Sequence, residues 1–170
     1  MKINGERVIN VVIAGLGGQG VIKASDVLAD AAFLSHYDVK KAEVHGMSQR
    51  GGGVTSDVRF GPRVFSPMVP PGEADYLVVL AADQVEPNTG RLRKGGVLIA
   101  PDVVREDELP HRKAVNSALL GVLSRFLDDR IPADCWHQAL RRQFKPELVE
   151  VNLAAFELGR RKGEALRAIQ

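Results

Sequence analysis

A single cysteine, Cys135, occurs in the 170 residues. One thiol excludes an intrachain disulfide, a four-cysteine zinc site and any iron–sulfur cluster held by cysteines of this chain alone. Excess charge is also lacking. There are 23 Lys and Arg against 21 Asp and Glu, and a formal net charge of +2 is too small to mark a nucleic-acid or anionic-membrane partner. No apolar run approaches the ~20 residues needed to span a bilayer. Met1 to Val8 holds no apolar stretch of signal-peptide length. Low-complexity segments and internal repeats are missing as well. The expectation is a cytoplasmic chain forming one domain over residues 1–170, long enough to bury its own core.

What is present is glycine in unusual places. Of 17 glycines, eight fall in two clusters, Gly15, Gly17, Gly18, Gly20 and Gly46, Gly51, Gly52, Gly53. Glycine weakens helices and strands, so such clusters mark places where the backbone itself is used. The first cluster follows Val8–Ala14, a β-branched run that reads as a buried strand. It precedes Val21, Ala24, Val27, Leu28, Ala31 and Ala32, whose spacing predicts a helix from Gln19 to about Leu34. Strand, glycine loop and helix form the setting in which backbone N–H groups and a helix N-terminus receive a phosphate. A dinucleotide fold also wants an acid ~20 residues further on to hold a ribose hydroxyl. Glu43 stands 23 residues after Gly20, at the end of a second predicted strand, Val39–His45. Close packing of the helix on the sheet would equally explain these glycines.

The second cluster, Glu43-Val44-His45-Gly46-Met47-Ser48-Gln49-Arg50-Gly51-Gly52, gathers an acid, an imidazole, a hydroxyl, an amide and a guanidinium on a short loop. Such a loop is poor core material and good material for gripping a polar partner. Arg50 is suited to a phosphate or carboxylate, and His45 is of the type that titrates near neutrality. Ser48 lacks the G-x-S-x-G elbow of a hydrolase nucleophile. His36, His45, His111 and His137 show no metal-ligand spacing. No metal site is expected, and Cys135 reads as a small interior residue.

Further along, Val54–Phe60 alternates and, with Gly61-Pro62 and the returning Val64–Ser66, predicts a β-hairpin. Asp75–Ala82 and Val97–Ala100 predict buried strands, with a short helix over Val85–Leu92 between them. Three apolar stripes at helical spacing fill about 113–165, with Pro132 and Pro146 at helix starts and a solvated basic end over Arg160–Arg167. The expected fold is therefore α/β. It is a Rossmann-like three-layer α/β/α arrangement with a mainly parallel sheet, a β-hairpin insertion and C-terminal helices.

The segments GLGGQGVIKASDVLADAA, EVHGMSQRGGGVTSDVRFG and VFSPMVPPGEADYLVVL, in this order, resemble the gamma-type subunit or domain of 2-oxoacid:ferredoxin oxidoreductases. Within that family they are most similar to the beta subunit of indolepyruvate ferredoxin oxidoreductase. Asn116, Leu120-Gly121 and NLAAFELG (152–159) extend the resemblance along the whole chain. It departs at Gly53, where relatives often carry Ser or Ala, and over Ala81–Gln84.

The resemblance implies a subunit of a complex that oxidatively decarboxylates a 2-oxoacid to its acyl-CoA. Thiamine diphosphate, magnesium and iron–sulfur clusters would sit in a partner subunit that passes electrons to ferredoxin. CoA would be a co-substrate, and this chain would hold no cofactor tightly and no catalytic residue of its own. The matched site positions are Gly15, Gly17, Gly18, Gln19 and Gly20, then Glu43, His45, Gly46, Met47, Ser48, Gln49, Arg50, Gly51 and Gly52. They are expected to face CoA or the partner, and the form EVHGMSQRGG favours an aryl substrate. Two other readings stand beside this one: a separate NAD(P)- or FAD-binding oxidoreductase, and a purely structural or regulatory subunit. A partner-facing apolar surface would favour a homodimer when the chain is isolated.

Overall fold

The computed structural model describes residues 7–45 and 52–170. Five strands, β1 (Ile9–Leu16), β2 (Asp38–His45), β3 (Gly53–Gly61), β4 (Ala74–Val79) and β5 (Leu92–Ile99), form one sheet in the order β2-β3-β1-β4-β5. The helices are α1 (Val21–Leu34), α2 (Val85–Asn88), α3 (Val115–Phe126), α4 (Ala133–Gln143) and α5 (Pro146–Ala168). No helix among the described residues is long and apolar enough to cross a membrane.

β1 lies at the centre, paired antiparallel with β3 and parallel with β4, and its apolar run is buried on both faces. Val11 and Ile13 point into the larger core with α1, α3, α4 and α5. Val12 and Ala14 point into a smaller core with Leu77, Val79 and Val69, against which Val85 of α2 packs. Helices thus cover both faces, α4 packing on α1 and α5 on α3. α1 leads from β1 toward the β2 edge, whereas α2 leads from β4 toward the β5 edge. Crossovers of one hand then require α1 and α2 on opposite faces, as found.

The mainly parallel expectation holds only in part. Four strands run in one direction, but β3 runs against them, so β1–β3 and β2–β3 are antiparallel and only β1–β4 and β4–β5 are parallel. The predicted hairpin is also relocated. Val64–Ser66 is not a strand, and β3 instead pairs antiparallel with β2, His45 lying opposite Val54. The segment after Gly61 is tied elsewhere. Val64 N–H donates to Asp38 at 2.7 Å, and Val69 N–H to buried Asp57 at 2.8 Å. Pro67, Pro70 and Pro71 remove the donors that a returning strand would need. Asp57 of β3 is buried beneath this segment and also receives Arg91.

β5 starts at Leu92 rather than Val97, and α2 is a single turn between 3-10 turns. The basic end is not simply solvated. Arg160 reaches Ser124 Oγ at 2.9 Å and Asp128 at 3.1 Å, and Lys162 pairs with Glu108. Two glycines allow α3 and α5 to touch backbone to backbone. A Cβ on Gly121 would lie 2.0 Å from the Phe156 carbonyl oxygen, and one on Gly159 1.8 Å from that of Ala118. Main chain cannot rotate away, so Gly121→Ala is expected to destabilise the fold by about 3 kcal/mol, the upper end of ordinary overpacking. Gly90→Ala, with open space around it, is expected to stay within about 0.5 kcal/mol. Urea unfolding of both variants checks the contrast.

Candidate functional site

The chain leaves β1 and β4 toward opposite edges of the sheet, so a crevice opens between their carboxyl ends. This is where open α/β sheets bind ligands. The glycine loop fills that position. Gly18 and Gly20 have φ of +85° and +83°, a region costly for residues with a Cβ. Gly20 then opens α1 without any side-chain cap. Gln19 holds the turn together, its Oε1 accepting from Leu16 N–H at 2.7 Å while its own N–H donates to the Leu16 carbonyl at 3.2 Å. Gly15 serves packing, since a Cβ there would meet Val21 at 2.8 Å and Leu80 at 3.1 Å.

The end of β2 and the start of β3 reach the same edge. Gly17 N–H donates to the Gly52 carbonyl at 3.0 Å. The register aligns Gly15 with Val54 and Val54 with His45. Gly15, Gly17, Gly18, Gln19, Gly20, His45 and Gly52 are therefore brought together. A cavity of about 380 Å³ lies between the loop and His45, with Lys23 and Val54 in its wall. Gly46, Met47, Ser48, Gln49, Arg50 and Gly51 lie outside the described residues.

Glu43 does not take the place of a ribose acceptor. β3 stands between β1 and β2, which puts Glu43 two strand spacings, roughly 10 Å, from β1. Its carboxylate accepts from Lys41 Nζ at 2.7 Å, and the same ammonium contacts Asp26 on α1. Burial lowers the Lys41 pKa, but the hydrogen bonds to Asp26 and Glu43 outweigh it and raise the value above the ordinary 10.5. A raised lysine value stabilises the fold fully below that pH and is lost only as the pH climbs past it, so this tie is constant at neutrality. Lys41 fastens β2 to α1 through Asp26, and Glu43 on the same strand holds its ammonium.

Asn116 at the start of α3 is a contact that composition and spacing do not reveal. Its Nδ2 donates to the Gly20 carbonyl at 3.3 Å, and its Oδ1 accepts from Ser117 N–H at 2.9 Å. On the far flank of the loop a second cavity, about 480 Å³, is lined by Lys23, Arg112, Lys113, Asn116 and Phe144. Lys23 and Arg112 are remote in sequence, so no local motif joins them. Among the described residues no group of three or more His, Cys, Asp or Glu side chains is arranged to hold a metal ion. Cys135 sits partly buried on α4, against the larger core.

Residues 10–110 match the family model described as pyruvate ferredoxin/flavodoxin oxidoreductase. The chain belongs to that family. It is 33% identical to indolepyruvate oxidoreductase subunit IorB of Thermococcus kodakarensis, over 88% of this chain and 93% of the relative. In fold, this family member is similar to a keto/oxoacid ferredoxin oxidoreductase gamma subunit from Geobacter sulfurreducens. The TM-score is 0.78 at 21% identity, covering 92% of this chain and 99% of the other. It is also similar to 32% of a 2-oxoglutarate:ferredoxin oxidoreductase chain from Magnetococcus marinus, with a TM-score of 0.75 at 19% identity over 95% of this chain.

Loop geometry in this family member is testable by substitution. Gly18→Ala, in open space, is expected to cost about 1 to 2 kcal/mol for its left-handed φ alone. Gly20→Ala should cost more, because its Cβ would also lie 2.5 Å from Asn116 Nδ2. Adding Asn116→Ala to Gly20→Ala should recover part of that excess in thermal unfolding, and strict additivity would contradict the contact.

Proposed function

We propose that the chain is the gamma-type subunit of a thiamine-diphosphate-dependent 2-oxoacid:ferredoxin oxidoreductase of the cytoplasm. In this reading it forms one domain over residues 1–170, and the complex converts an aryl 2-oxoacid such as indolepyruvate to its acyl-CoA. The glycine loop and the hairpin tip form one surface toward the partner subunit and the incoming CoA. The observation that carries this surface is the Gly17–Gly52 hydrogen bond at the crevice between β1 and β4. It ties the glycine loop to the backbone just before β3. Support for the substrate comes from the relative named indolepyruvate oxidoreductase subunit IorB. Support for CoA comes from the Magnetococcus marinus enzyme, described with 2-oxoglutarate, coenzyme A and succinyl-CoA bound.

The chain's own donors do not fit the redox groups of such a complex. One cysteine cannot ligate an iron–sulfur cluster, and the sequence contains no GDG…N thiamine–magnesium motif. Decarboxylation and electron transfer are accordingly assigned to the partner subunit, and this chain supplies shape and polar contacts near the acyl acceptor. A separate dinucleotide-dependent oxidoreductase is less well supported, because β3 displaces the acidic residue that would hold a ribose.

In the purified complex, Arg50→Ala and Gly17→Val are each expected to lower CoA-dependent acyl-CoA synthesis from indolepyruvate by tenfold or more, on the order of 1.4 kcal/mol of lost stabilisation. The complex should remain assembled and retain its thiamine and iron. Full acyl-CoA synthesis in both variants would refute the surface assignment. Absence of thiamine and iron from the native complex would refute the assembly itself.

A further inference from the structure

We propose that the outer edge of β2 is a self-association surface, on which a second copy of this chain adds its own β2 antiparallel and joins the two sheets into one. A sheet edge presents a row of unpaired N–H and C=O groups, and folds usually guard it. The β5 edge is guarded: its register shifts beside Ala74 and Tyr76, Gly95 has φ of +74°, and Arg93 and Lys94 are exposed there. The β2 edge is not. Its eight residues contain no proline and pair with β3 along their whole length without a bulge. Among the described residues no backbone hydrogen bond reaches β2 from any element but β3.

Apolar surface gathers beside this edge. Six large apolar side chains are exposed among the described residues, and four of them, Phe33, Val44, Phe65 and Met68, adjoin β2. Val44 is on the strand itself. Phe33 lies two turns from Asp26 on the same side of α1, and Asp26 is the residue that meets Lys41. Phe65 and Met68 belong to the segment on the other face. There Val64 N–H donates to Asp38, and the Ser66 and Met68 carbonyls accept from Arg59, which stands opposite Lys40. Strand pairing at β2 would bring a second set of these side chains against the first.

The charges on β2 choose the occupant and its register. Val39 packs against the larger core and Lys41 meets α1, so odd-numbered residues face α1 and even-numbered ones face away. A two-fold axis perpendicular to the sheet keeps both α1 helices on one side, so odd must oppose odd and the axis must pass through a residue. An axis at Lys40, Lys41, Ala42 or Glu43 pairs five or more residues of each strand. Three of these set a residue against its own like charge: Lys40 on Lys40, Lys41 on Lys41, Glu43 on Glu43. The fourth sets Ala42 on Ala42. It places each Lys41 opposite the second copy's Glu43 and lays each Lys40 stem across from the second copy's Val44. Opposite charges facing across strands stabilise pairing and like charges oppose it. Lys41 and Glu43 already meet within one chain at 2.7 Å, so the axis joins two such pairs into a network of four charges. A strand whose charges match their own reversed order fits a second copy of itself.

This inference is independent of the assembly proposed above, since the dimer is read on the full chain alone. Sedimentation equilibrium is expected to give twice the chain mass at micromolar concentration. Val44→Lys and Val44→Glu remove the same exposed apolar surface but set opposite charges across from the second copy's Lys40. Val44→Lys should raise the dimer dissociation constant about tenfold, whereas Val44→Glu should bind at least tenfold more tightly than Val44→Lys. Lys94→Glu, on the β5 edge, should leave the dimer unchanged. Glu43→Lys and Lys41→Glu, each checked for folding by circular dichroism, should each weaken self-association and pair with one another when mixed. A chain that stays monomeric at 100-fold higher concentration (on the order of 0.1 mM) overturns the proposal. Dissociation constants for Val44→Lys and Val44→Glu within twofold of each other overturn it equally. A monomeric chain whose Val44 variants drop out of the purified complex assigns the edge to the partner subunit, and also overturns it.

Discussion

Strand β3 makes hydrogen-bonded ladders on both of its edges, eight residues against β1 and eight against β2. Antiparallel neighbours can be joined without a crossover helix, and β2 and β3 are consecutive in the chain. The rest of the site depends on that constraint. It carries His45 and Gly53 to the edge where β1, β4 and β5 end, and it pushes β2 outward to the sheet margin. The Gly17–Gly52 bond then becomes possible, and Glu43 is taken from the glycine loop and given to Lys41.

Two buried carboxylates hold what the sheet does not cover. Asp57 accepts from Arg91 and from Val69 N–H, fixing the proline-rich segment across the smaller core. Asp75 accepts from Arg7, Arg93 and Asn10 N–H at the opposite end of β4. Each charge is buried with its oxygens hydrogen-bonded, the condition under which burial of an ion is tolerated. On the helical side the same close fit is obtained without charge, through glycines that bring α3 and α5 into main-chain contact. The glycine loop is therefore mounted on rigid parts: β1 below, α1 after it, and Asn116 of α3 against Gly20.

Much of this was legible in the chain. The β-branched run of β1, the stripe of α1 and the three C-terminal stripes fall where periodicity puts them, because a buried face leaves a period of two or 3.6 in the sequence. The family resemblance carried by EVHGMSQRGG agrees with the matched model over residues 10–110. The partner of β3 was not legible. Alternation in Val54–Phe60 says that one face is buried and says nothing of which strand lies beside it, so a returning strand at Val64–Ser66 fitted the pattern as well as β2 did. Burial of Asp57 was not legible either, since it depends on the segment that covers it.

By itself, the sequence determined the element types, the two glycine clusters and the impossibility of cysteine-ligated electron carriers, all properties of local spacing and inventory. The tertiary structure decided which residues meet. Antiparallel insertion of β3 tied Gly17 to Gly52 and set Glu43 two strands from β1, and the convergence of α1, the segment before α3 and the end of α4 placed Lys23 beside Arg112 and Lys113. Those meetings are set by strand order and helix packing, long-range choices that no local period encodes.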